Sequence, residues 1–155
     1  MSAASASRRI LVTGGASGIG AAIVRALAGA GFAVAFTYRS SADDAQALLA
    51  ELGAAHPDRS FAAHALDLAD RSALDAFCEA AEEGDYYGFV HNAGQSYDAL
   101  AAMLDQGQAE AAMQVNFFSL TRLAKALIRP MTRARSGAHP RQPRRGRRDG
   151  DRGAR

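Results

Sequence analysis

The stretch Thr13-Gly14-Gly15-Ala16-Ser17-Gly18-Ile19-Gly20 decides how this chain is read. Just before it, Arg9 to Thr13 (RILVT) is a short aliphatic and β-branched run suited to a buried strand. Just after it, from Gly18, Ile19, Ile23, Ala26, Leu27 and Ala30 recur at helical spacing, with Gly31 as a stop. Strand, glycine turn and helix in that order make a phosphate cradle. Glycines keep Cβ atoms out of the turn, and free amides at the helix N-terminus turn partial positive charge toward a pyrophosphate. A glycine cluster in isolation is equally well a structural turn; the strand and helix on its flanks favour a dinucleotide site.

Working outward, Phe32 to Tyr38 (FAVAFTY) reads as a second strand, and Asp43 to Leu52 as a helix opened by acidic residues that suit its N-terminal dipole. Pro57 separates this unit from a third strand, Phe61 to Leu66, and from a helix, Ser72 to Glu83, with Leu74, Phe77, Cys78 and Ala81 on one face. Tyr86 to His91 is a fourth strand. After a turn at Gly94, a long amphipathic helix is expected from Gln106 to Ile128. Its apolar stripe is Ala109, Met113, Asn116, Phe117, Leu120, Leu123, Ala124 and Leu127, and Pro130 should end it. Strands alternating with helices imply an α/β fold: a parallel sheet with right-handed crossovers and helices on both faces.

After the second strand stands Thr37-Tyr38-Arg39-Ser40 rather than an acidic residue. A carboxylate there would accept from a free ribose diol, whereas a guanidinium with neighbouring hydroxyls suits a 2′-phosphate, so NADP is expected over NAD. The alternative for Arg39 is a solvated loop arginine. For Asn92 it is a strand-end asparagine serving local backbone, and for Asn116 an asparagine bonded to a neighbouring strand. His56, His64, His91 and His139 have no metal-ligand spacing, and no metal is expected.

The spacing TGxxxGIG, Asp67 within ALDLAD, His91-Asn92-Ala93-Gly94 and Asn116 within MQVNFFSLTRLAKAL together resemble the short-chain dehydrogenase/reductase family over residues 9 to about 130. The wording YRSS and MQVNFFSLTRLAKALIRPM is most similar to bacterial 3-oxoacyl-(acyl-carrier-protein) reductases. The resemblance implies a doubly wound Rossmann sheet in strand order 3-2-1-4. It implies cofactor contacts at Thr13, Gly14, Ala16, Ser17, Gly18, Ile19 and Gly20, at Arg39 and Ser40, at Asp67 (toward the adenine amine) and Leu68, and at Asn92, Ala93 and Gly94 beside the ribose. It also implies a catalytic role for Asn116, whose helix carbonyl holds a proton-relaying water. The implied activity is NADPH-dependent reduction of a carbonyl such as that of a 3-oxoacyl thioester, in an enzyme that assembles as a homo-oligomer.

The family's serine, and its tyrosine and lysine spaced YxxxK, have no match: the last tyrosine is Tyr97 and the only lysine is Lys125. No turnover is therefore expected from this chain, which reads as a dinucleotide-binding portion. The fourth strand, left as an edge, and the uncovered long helix should make it poorly soluble. Residues 129–155 hold ten arginines against Asp149 and Asp151, a local +8 that leaves −6 for the rest of a chain of formal net charge +2. Residues 136–155 contain no Ile, Leu, Val, Met, Phe or Tyr and are expected to be disordered, as are residues 1–8. This tail is read either as an arginine-rich arm for nucleic acid or, preferably, as a coding frame slipped near residue 137. Shifting the frame turns His139 to Pro143 into an apolar strand, although no serine appears at Arg144 or Arg145. One cysteine, Cys78, no membrane-length apolar run and no hydrophobic leader suit a soluble cytoplasmic protein.

Overall fold

The structure is a computed structural model that describes residues 8–135. The expectations for residues 136–155, including the frame slip and the nucleic-acid arm, lie outside the described residues, as does most of the N-terminal stretch. In chain order the elements are β1 (Arg9–Thr13), α1 (Gly18–Gly29), β2 (Ala33–Tyr38), α2 (Ala42–Ala55), β3 (Phe61–Ala65), α3 (Arg71–Glu82) and β4 (Tyr86–His91). A short turn of 3₁₀ helix (Ala101–Met103) leads to α4 (Gln106–Met113), a π-helical turn (Gln114–Phe118) and α5 (Ser119–Arg135). The strands form one parallel sheet in the order β3-β2-β1-β4. This is the doubly wound α/β arrangement expected from the alternation.

Each central strand is buried on both faces, which is why β1 and β2 are runs of apolar residues rather than alternating ones. Ile10, Val12, Val34 and Phe36 pack with Val24 and Ala28 of α1 and Leu48 and Leu52 of α2. Leu11 and Ala35 face the other way, toward Leu74 of α3 and Leu123 and Leu127 of α5. α1 ends where Gly31 was expected to stop it. The Phe32 amide reaches the Leu27 carbonyl and the Gly31 amide the Ala28 carbonyl, both at 3.1 Å.

Three helix readings need correction. The inward face of α1 is Gly20, Ala21, Val24 and Ala28, not the stripe through Ile19, Ala26 and Ala30. The helix is rotated because Gly20 must lie against the loop before it, and this leaves Ile19 75% exposed. The long helix buries Ala112, Val115, Ser119, Leu123, Ala126 and Leu127. Met113, Asn116, Phe117 and Ala124, expected on the same apolar face, point away from the sheet. The segment carries two adjacent apolar stripes, and β4 with α3 covers only one of them. Lastly, Pro130 does not end the helix, which continues to Arg135. The proline ring is buried, Met131 packs on the same core, and Arg133 Nη2 donates to the Glu82 carbonyl at 2.9 Å. These tertiary contacts outweigh the lost backbone bond.

Candidate functional site

The crevice at the carboxyl ends of the strands opens between β1 and β4, where the strand order reverses, the usual ligand position in an open parallel sheet. Its base is the loop between β1 and α1, and that loop is held from both sides. Toward β2, the Gly14 amide donates to Thr37 Oγ1 at 3.3 Å and the Gly15 amide to the Thr37 carbonyl at 2.9 Å. Toward β4, Asn92 Nδ2 donates to the carbonyls of Thr13 and Gly14 at 3.2 and 3.0 Å. Gly14 has φ +66°, and a Cβ on Gly20 would lie 1.9 Å from the Gly14 carbonyl oxygen, so neither position accepts a side chain.

Thr13 lies beneath this loop and is fully buried. Its Oγ1 accepts from the amides of Asn92 at 3.1 Å and Ala93 at 3.2 Å. With both lone pairs engaged, the hydroxyl proton is left for His91 Nδ1, 3.1 Å away. Burial lowers the His91 pKa, opposed in part by the Val115 backbone, and so favours the neutral ring that acceptance from Thr13 requires.

The N-terminus of α1 faces the crevice. Ser17 occupies the cap position but its side chain makes no capping bond, and no acidic residue stands in the first turn. The first amides of α1 are thus free of a side-chain acceptor and aimed at the space an anion would fill. That space is a cleft of about 390 Å³. Across the sheet it runs from Asp67 and Leu68 after β3 and Arg39 and Ser40 after β2, past Gly14, Ala16, Ser17, Ile19 and Gly20 after β1, to Asn92, Ala93 and Gly94 after β4. Among the residues expected at the site, Thr13, Gly18 and Asn116 are not on its wall. Arg39 is exposed and forms no ion pair among the described residues. Asp67 Oδ1 accepts from the Ala69 amide at 2.9 Å, and its other oxygen has no partner among the described residues.

Asn116 sits in the π-helical turn, exposed, with its amide paired to the backbone of Gln95. Oδ1 accepts from the Gln95 amide and Nδ2 donates to the Gln95 carbonyl, each at 2.7 Å. The extra residue of this turn brings the Ser119 amide to the Gln114 carbonyl, and Ser119 Oγ donates to the Val115 carbonyl at 2.6 Å. Gln114 is buried and donates through Nε2 to the Leu68 carbonyl at 3.2 Å, so the turn is fastened to the cleft at two places. Sequence reasoning missed Gln95, Gln114 and Val115. The one signal for them was a polar Gln-Val-Asn interruption in an apolar helix.

A family model described as short chain dehydrogenase matches residues 8–138. The chain belongs to the short-chain dehydrogenase family. Over 133 residues it is 34% identical to the 3-oxoacyl-(acyl-carrier-protein) reductase MabA of Mycobacterium tuberculosis, a match that covers 84% of this chain and 48% of the reductase. Among solved structures, a short-chain dehydrogenase/reductase from Serratia marcescens superposes with a TM-score of 0.72 at 33% identity, covering 80% of this chain and 51% of that one. A blue fluorescent protein from a metagenomic library, in complex with NADPH, gives a TM-score of 0.71 at 34% identity, with coverages of 77% and 49%. The chain thus spans about half the length of these relatives. The family consists of oxidoreductases that bind a nicotinamide dinucleotide. The residues present fit that group: a glycine loop packed too closely to admit a Cβ at Gly20, uncapped helix amides, and a guanidinium with no acidic partner among the described residues.

Proposed function

We propose that this short-chain dehydrogenase chain provides the NADP-binding portion of a carbonyl reductase acting on a 3-oxoacyl thioester or a similar small substrate. The observation that carries the reading is the latched glycine loop under the uncapped start of α1, with Arg39 beside the same cleft. NADPH, when bound, supplies the hydride. The protein's part is to bind and orient it. The α1 amides take the diphosphate, Arg39 and Ser40 the 2′-phosphate, the free oxygen of Asp67 the adenine amine, and the Asn92-Ala93-Gly94 end the ribose. Asn116 is a positioning residue, holding the π turn against Gln95. Without a YxxxK pair, the chain as given binds the dinucleotide without turning substrate over. The kinship with the acyl-carrier-protein reductase is the support for the thioester class, and a cytoplasmic setting and homo-oligomeric assembly of a complete enzyme belong to the same proposal.

The test is cofactor choice. The fluorescence of bound NADPH and NADH is titrated for the chain and for Arg39→Ala. NADPH should bind more tightly, and the substitution should weaken it about tenfold, as expected for losing a charge-assisted bond to phosphate, while leaving NADH unchanged. Equal loss for both cofactors would assign Arg39 no role in the choice.

A further inference from the structure

Toward the amino ends of the strands, α3 stands off from the sheet and leaves a second cleft of about 310 Å³ that shares no residue with the first. Its floor is Ala35 of β2 and Ala62 of β3, and its helix wall is Phe77 and Ala81. The alanines of the floor and Ala80 and Ala81 of the helix are small, and the Phe77 ring does not fill the space between them. Arg9 shares a sheet face with Leu11, and its guanidinium reaches this cleft, where Nη2 donates to Ser60 Oγ at 3.3 Å. No carboxylate pairs with it among the described residues. Its charge acts on two other lining groups, adding to the burial that lowers the His64 pKa and opposing the burial that raises that of Tyr86. His64 stands edge-on to Phe77, the ring centroids 5.6 Å apart.

We propose that this cleft is a second ligand site, taking a small monocarboxylate with a flat apolar or aromatic body. An arginine with most of its fork unused matches a carboxylate in shape and charge, and among the described residues the lining holds one such cation, which favours a single negative charge over a diphosphate. The volume is at the lower end of the range of about 300–1,000 Å³ for small-molecule sites, which suits one ring rather than a dinucleotide. The alanine floor and the Phe77 and Tyr86 rings receive the apolar body, with His64 at the open rim. The proposal is independent of what the first cleft binds.

Benzoate is titrated into the isotope-labelled full chain and followed by two-dimensional NMR, with benzyl alcohol as the uncharged analogue. Saturable shifts are expected at Ala62, His64 and Phe77, with benzyl alcohol about tenfold weaker or more. Arg9→Gln should reduce benzoate affinity by a similar factor. Ala62→Ile, which fills the floor with Arg9 in place and suits a strand, should abolish the shifts. If Arg9→Gln does not fold, the alcohol and Ala62→Ile arms decide. Absence of saturable shifts, equal affinity for benzoate and benzyl alcohol, or undiminished binding by Ala62→Ile would each overturn the assignment.

Discussion

The glycine loop and the π-helical turn are both departures from regular backbone, and both border the same cleft, yet they are held in different ways. The loop is shaped by what its residues lack: without Cβ atoms, Gly14 adopts φ +66° and Gly20 comes against the Gly14 carbonyl. The turn is shaped by what its residues reach. Gln114 bonds to Leu68, and Asn116 to Gln95, across |i−j| separations of 46 and 21 residues. A local steric device fails when one atom is added, whereas a set of distant hydrogen bonds weakens one bond at a time.

That contrast is broken most severely at Gly20. Gly20→Ala forces the loop and α1 apart, and it should cost about 3 kcal/mol in denaturant unfolding and eliminate detectable NADPH binding. An alanine variant that bound and unfolded like the original chain would mean that the loop yields as easily as the turn.

A smaller effect is expected in the turn. Asn116→Ala removes two bonds to the Gln95 backbone at an exposed position, and should cost about 1 kcal/mol by the same measurement while NADPH affinity changes little. A loss as large as that of Gly20→Ala would make Asn116 part of the cradle.

His91 joins the two regions, lying between the Thr13 hydroxyl and the Val115 backbone, and it supplies a pH test of still smaller size. Because burial lowers its pKa in the folded chain, the unfolded chain takes up the proton first. The stability due to neutral His91 is whole above the ordinary imidazole value of about 6.5 and falls as pH drops below it toward the depressed value. Unfolding midpoints at pH 7.5 and 5.5 should therefore diverge more for the native chain than for His91→Asn. An equal or larger divergence in the variant would place the acid sensitivity elsewhere.

The same distinction explains what was legible in the sequence. β1 and β4 lie where their apolar runs placed them, and the strand order followed from alternation and resemblance, because local pattern specifies these elements. The tight loop was legible because glycine marks it residue by residue. Gln114 and Gln95 were not, since a glutamine carries no sign of which carbonyl or side chain, dozens of positions away, it will meet. Thr13, expected at the cofactor, lies beneath the loop, where its hydroxyl accepts from the amides of Asn92 and Ala93, contacts no sequence pattern shows. Pro130 misled for a related reason: its local cost is visible in sequence, but the burial of its ring and the Arg133 contact that offset it are not.

The account rests on the uncapped start of α1 receiving a diphosphate, and calorimetry with NADPH and NADH on this chain measures that directly. A saturable one-site heat is predicted, stronger for NADPH and absent in Gly20→Ala. A folded chain that gave no heat with either nucleotide would contradict it.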